Sequence, residues 1–184
     1  MKRVVSNIKF NSFASIVPKN IMSNEDIISN APESEKLYLR KTAENVGVIS
    51  RYCVVDETFE SLAYDCSIRL IKEQGIDLKT IKSIVLVSQT TSSRLPSSAR
   101  ILHGKLGLSS NCATFDINDG CSGFIYASFL SSLILDKPGD KSLIIAGDII
   151  SNRLEKSDFS NQLLMGDGLS ATIIEKVNDE NDIS

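Results

Sequence analysis

Phe115-Asp116-Ile117-Asn118-Asp119-Gly120-Cys121-Ser122-Gly123-Phe124 is the stretch that decides the fold. It begins inside a short apolar strand, Ala113 to Ile117. It then turns through glycine into Cys121 to Leu135, a run of apolar and small residues that reads as a buried helix with Cys121 at its first position. A strand turning tightly into a helix is a unit of layered α/β architecture. Unpaired N–H groups and the positive end of the helix dipole meet at such a turn. A thiolate placed there is expected to be stabilised, and the Cys121 N–H is placed to help hold an oxyanion. Gly120 and Gly123 keep side chains off both sides of the sulfur, which lets a thioester carbonyl approach.

The segments around it extend the alternation. Leu62, Ala63, Cys66, Ile68, Leu70 and Ile71 lie near helical spacing after an N-cap at Thr58, and Gly75 ends the run. Ile84-Val85-Leu86-Val87 is continuous and too short for a helix, so it reads as a strand covered by helices on both faces. Pro96 to Leu106 suits a helix with Pro96 in its first turn and Gly107 as its stop. Ser142 to Ala146 is a third buried strand ending in Gly147-Asp148. Ala171 to Val177 is a last strand after the turn Gly166-Asp167-Gly168.

Toward the start, Val4 to Val17 reads as a strand pair or one long bent strand that stops at Pro18. Asn20 to Lys41 is polar and is expected to fold over the surface as short helices. One of these is Glu25 to Ser29, with Ser23 as N-cap and Asp26 as the capping-box acid. The fold class expected is α/β, a mixed and mostly parallel sheet between helices.

The 184 residues, 42% of them hydrophobic, suffice for one domain spanning the chain. A net charge of −3 from 20 basic and 23 acidic residues, interspersed, gives no footprint for nucleic acid or anionic membrane. Small molecules and proteins are the partners to expect. Cys53, Cys66, Cys112 and Cys121 show neither CxxC spacing nor a histidine cluster, which argues against a metal site or redox exchange. Reduced thiols, no apolar h-region after Met1-Lys2-Arg3 and no run of the ~18 apolar residues a membrane span needs lead to the expectation of a cytoplasmic protein.

Asp116 to Ala127 is similar to the nucleophile motif of β-ketoacyl-acyl-carrier-protein synthase III, a family of thiolase-fold condensing enzymes. Pro18 with Ser23 to Asp26, Gly47 to Arg51, Thr90-Thr91-Ser92, Leu95 to Ala99 and Gly166-Asp167-Gly168 resemble the same family in order and spacing. The resemblance implies an amino-terminal thiolase-like half, with the carboxy-terminal half absent. It makes Cys121 the nucleophile that takes an acyl group from a thioester and condenses it with a malonyl thioester on acyl carrier protein. It implies acyl thioesters of CoA or carrier protein as substrates and no cofactor. It also implies a homodimer through Ala113 to Ile117, or a heteromer with a chain supplying the missing half.

The chain departs from that family at several places. The histidine and asparagine that assist decarboxylation belong to the family's second half, and His103 stands in a segment that does not match their motif, so it reads as a surface or packing residue. There is no Trp to stack an adenine, Phe159 stands where an adenine-contacting Arg is usual, and Leu95 replaces a Phe that shapes the acyl tunnel. The missing Trp and Phe159 count against priming by acyl-CoA and leave delivery on a carrier protein open, whereas Leu95 implies only a differently shaped acyl pocket. Asp119 brings a carboxylate close to the sulfur. Gly166-Asp167-Gly168 reads as a structural turn, and Cys53, Cys66 and Cys112 as packing residues on helix or strand segments. A noncatalytic subunit that binds an active partner is the competing expectation.

Overall fold

The apolar run Ile84 to Val87 lies in a strand between two parallel neighbours in the computed structural model, which describes residues 7–178. In chain order the elements are β1 (Ile8–Ile16), β2 (Asn20–Ser23), α1 (Asn24–Ser29), α2 (Glu33–Val46), β3 (Ser50–Cys53), α3 (Phe59–Glu73) and β4 (Ile81–Val87). There follow α4 (Ser98–Leu106), β5 (Ala113–Ile117), α5 (Gly123–Ile134), β6 (Lys141–Asp148), α6 (Phe159–Leu164) and β7 (Gly168–Lys176). The main sheet has the order β1-β7-β6-β4-β5. β4 pairs in parallel with β5 and β6, whereas β7 is antiparallel to β6 and β1. Only β7 therefore runs against the other four strands, and the sheet is mixed as expected.

Alternation along β4 divides its side chains between the two faces. Ile84 and Leu86 pack with Phe59, Leu62, Cys66 and Leu70 of α3 and Leu102 of α4. Val85 and Val87 pack with Ala127 of α5 and with Leu135. The helix on each face that a continuous apolar strand requires is present. A separate small core joins α1, α2 and α6 through Ile27, Ile28, Leu39 and Leu163.

Capping chemistry places two helix starts where the sequence does. The Ser23 hydroxyl accepts the Asp26 N–H at 3.1 Å while the Asp26 carboxylate accepts the Ser23 N–H at 2.8 Å, and Thr58 and Ser61 form the equivalent box ahead of α3. Other boundaries differ. Pro96 does not open α4: the Leu95–Pro96 bond is cis, and Ser97 is the N-cap, its hydroxyl accepting the Arg100 N–H at 3.3 Å. Asn20 to Lys41 holds more than short surface helices. Asn20–Ser23 pairs with Ser50–Cys53, and α2 continues for 14 residues to Gly47, whose φ of 74° closes it.

β1 is a single strand whose register slips between Phe10 and Ser12, the bent form of the strand expected. Residues 4–6 of that expectation, and the tail from 179 onward, lie outside the described residues. Cys112 sits just ahead of β5, not within it, and is buried like Cys53 and Cys66, so the packing role stands. Burial pushes the Cys112 thiol up to about 11.

Candidate active site

The cysteine turn is more compact than a helix start. Gly120–Ser122 forms a single 3₁₀ turn and α5 begins at Gly123, so Cys121 lies just outside the helix and not at its first position. Local hydrogen bonding explains the shift. The Ser122 hydroxyl donates to the Asp119 carboxylate at 2.8 Å and to the Asp119 carbonyl at 3.2 Å, which ties the turn before the helical ladder begins. The Asp119 carboxylate is thus engaged by a hydroxyl.

Gly123 lies against the end of β4, where a Cβ would stand 2.4 Å from Val87 Cγ1. Only glycine lets the turn pack this closely on the sheet. Of the four cysteines, Cys121 alone is exposed. It opens into a groove of about 360 Å³ shared with Val87, Gln89, Phe124, Gly147 and Asp148.

The opposite wall of that groove is built by Asp148, at the end of β6. Its Oδ1 accepts the Gln89 N–H at 2.7 Å and the Ser88 and Thr90 hydroxyls at 2.9 Å each, while Thr90 Oγ1 accepts the Ile149 N–H at 2.7 Å. One carboxylate thereby fixes the loop leaving β4 against the strand end beside it. The far end of the same loop is held by Glu60 of α3, 7% exposed, which accepts the Ser92 N–H at 3.2 Å, the Ser92 hydroxyl at 2.7 Å and the Ser98 hydroxyl at 2.5 Å. Burial pushes the Glu60 carboxyl up, but those donors outweigh it and hold the group below the ordinary glutamate range.

Asp167, in the Gly166-Asp167-Gly168 turn, acts as the sequence suggests. Its carboxylate accepts the Val54 and Ser151 N–H groups, both at 2.8 Å, and the Ser151 hydroxyl, while its own N–H reaches the Tyr52 carbonyl at 2.8 Å. It is a structural staple between β3 and the segment after β6. His103 stands on α4 with Nε2 2.9 Å from the Ser109 carbonyl and does not line the cysteine groove. Phe159 packs against the α1, α2 and α6 core, and Leu95 is 93% exposed.

The structure brings Cys121 together with Gly120 but adds partners that composition did not announce: Gln89, Asp148 and their hydroxyl network. Their signal was the polar run Ser88 to Ser93 directly after an apolar strand, and an Asp directly after Gly147. Among the described residues, no helix is long and apolar enough to cross a membrane, and no group of His, Cys, Asp or Glu is placed to hold a metal ion.

Residues 115–184 match the family model of 3-oxoacyl-[acyl-carrier-protein] synthase III. A β-ketoacyl-[acyl-carrier-protein] synthase III of Clostridium perfringens is 33% identical over 171 residues, 92% of this chain. The similarity to synthase III runs through nearly the whole of this chain. A synthase III of Acholeplasma laidlawii is 32% identical over 91% of the chain. The crystal structure of a 3-oxoacyl-(acyl-carrier protein) synthase from Burkholderia xenovorans superposes with a TM-score of 0.85 at 28% identity, covering 94% of this chain. The chain spans about half the length of the synthase III relatives it matches, 51% and 54% of the curated proteins and 49% of the crystallised chain. The thiolase-type α/β fold expected from the sequence is thus the fold of the synthase III structure it superposes on.

Proposed function

We propose that this chain is the acyl-accepting half of a condensing enzyme that joins a Cys121-linked acyl group to a malonyl thioester on acyl carrier protein. The exposed thiol of Cys121, on a turn with glycine at 120 and 123 and opening into a groove, carries this reading. A thiol suits the task because it attacks a thioester readily and leaves again when the carbanion from decarboxylation arrives. Intact-protein mass spectrometry after incubation with acyl-CoA and acyl-carrier-protein thioesters tests it. An adduct on the native chain that disappears in Cys121→Ser is expected; an adduct that survives the substitution overturns the assignment. A noncatalytic subunit is the second reading, favoured by a lone histidine that bonds Ser109 away from the groove, and it predicts no adduct from any donor.

The second half of the fold has a place to dock. Gly123 to Leu135 contains no charged residue, yet α5 meets the sheet on one side only and leaves Ile125, Tyr126, Phe129 and Leu133 exposed beside Phe10 of β1, whose ring stacks on Phe124 at 6.2 Å. A helix apolar on all sides belongs between two layers. Its relatives are twice as long, so the occupant proposed is a complementary carboxy-terminal half. Co-expression with the carboxy-terminal half of the Clostridium perfringens relative is expected to give a defined complex by light scattering. Ile125→Glu with Phe129→Glu should weaken it by more than about tenfold, as loss of buried interface anchors does. Self-association of this chain without the added half would instead name a second copy as occupant. The measured mass also reads whether the free edge of β5 pairs two such complexes.

A further inference from the structure

The groove at Cys121 adjoins a second one, of about 370 Å³, with Ser88 and Gln89 common to both walls. An alkyl chain running on from the sulfur would need apolar walls there. Every residue lining the second groove is instead polar or charged, with Arg94 and Arg153 among them. Its carboxylate, Asp116, is already committed, accepting the Ser98 and Ala99 N–H groups at 3.0 and 2.8 Å at the start of α4. The two guanidiniums are not. Arg153 makes one long contact, 3.4 Å to the Thr91 carbonyl, and Arg94 has no carboxylate partner among the described residues. The groove therefore carries unspent positive charge.

Gln89 marks the passage between the two spaces. Asp148 fixes its N–H at 2.7 Å, and its carboxamide lies 3.6 to 3.7 Å from where a Cβ on Gly120 would stand, directly beside Cys121. The carboxamide has no hydrogen-bond partner of its own among the described residues. An apolar acyl group passing it would displace water from an amide and two guanidiniums and replace none of their hydrogen bonds. A carboxylate would replace them, since planar guanidinium pairs match its geometry.

Resting on the reading of Cys121 as acyl acceptor, we propose that the acyl group it takes is short and ends in a carboxylate, with Gln89 along its flank and Arg94 and Arg153 at its distal end. The Cys121 sulfur, as thiolate, attacks the thioester carbonyl carbon. The bond from that carbon to the donor sulfur breaks, and the donor leaves as a thiolate that takes up the proton Cys121 gave to water. The distal carboxylate is unchanged throughout.

The test compares glutaryl and pentanoyl thioesters of N-acetylcysteamine, matched in carbon number and free of any nucleotide, as acyl donors to the native chain by intact-mass time courses. The glutaryl adduct is expected to form about tenfold faster, the scale of one charge-assisted pair. Arg94→Gln with Arg153→Gln should bring the ratio close to one, and the Lys pair at both positions should retain part of the preference. The ratio is taken within each variant, so a loss of folded protein does not mimic the effect. Equal or faster pentanoyl transfer, or a preference untouched by the double substitution, overturns the inference and leaves Cys121 as acceptor. No adduct from either donor, nor from the acyl-CoA and carrier-protein thioesters, overturns both.

Discussion

Gly147→Ala is expected to lower the stability of the fold by about 3–5 kcal/mol, read as a fall in the urea midpoint at unchanged slope. Gly147 pairs with Leu169 across the β6 and β7 ladder. A Cβ there would stand 2.3 Å from the Gly168 carbonyl oxygen and 2.4 Å from both Cα and Cβ of Leu169. These are backbone atoms and a Cβ, with no flexible side-chain end to swing aside, so two strands must part to admit a methyl group. The backbone φ of 154° adds a conformation that residues with a Cβ rarely adopt. Asp148 follows directly, so the same distortion would loosen the carboxylate that fixes Gln89. Gly104→Ala provides the contrast: it lies within α4, nothing stands within 4 Å of its Cβ position, and the change should be neutral or stabilising by up to about 1 kcal/mol. A Gly147→Ala protein within about 1 kcal/mol of the native chain would mean that β6 and β7 do not approach this closely.

Local signals explain which features are legible in the sequence. Thr58 and Ser23 announce helix starts because their caps lie within three residues, and Ile84 to Val87 announces a strand because its burial on both faces is written in four consecutive apolar side chains. The β2 and β3 ladder stayed hidden because Asn20 finds Cys53 more than one element away, and neither strand exceeds four residues. Pro96 misleads for a related reason. Proline suits a first helical turn, but Ser97 and Ser98 follow it, and the helix starts where a hydroxyl and the Asp116 carboxylate take up its free N–H groups.

The site divides along the same line. Cys121 between Gly120 and Gly123 is legible because glycine spacing and a strand-to-helix switch are sequence-local. Its setting one turn short of the helix depends on the Asp119 and Ser122 bond, and the wall facing it depends on Asp148 reaching back 60 and 58 positions to Ser88 and Thr90. The charged groove beside it combines Arg94 from one loop with Arg153 from another, an adjacency that only the sheet order creates.

Glu60→Ala is expected to cost about 2–4 kcal/mol at neutral pH and to flatten the acid limb of the stability profile. Removing the carboxylate leaves the Ser92 N–H and the Ser92 and Ser98 hydroxyls without their acceptor, in a pocket where Glu60 is 7% exposed and Ser98 fully buried. Its position in the first turn of α3 also favours negative charge. The pH dependence follows from the direction of the shift. Hydrogen bonds from Ser92 and Ser98 outweigh burial and hold the folded-state pKa below the unfolded value, so the folded state binds the proton more weakly. The resulting stabilisation is complete above the unfolded carboxyl range and is lost as pH falls through the folded pKa. Urea midpoints of the native chain and Glu60→Ala, taken at neutral pH and in steps below about pH 4, should therefore converge on acidification. A gap that stays constant into strong acid would mean that Glu60 contributes packing and not charge. A gap that widens would mean that the carboxyl is held protonated. Either result would remove the anionic anchor assigned to the far end of the loop that carries Gln89.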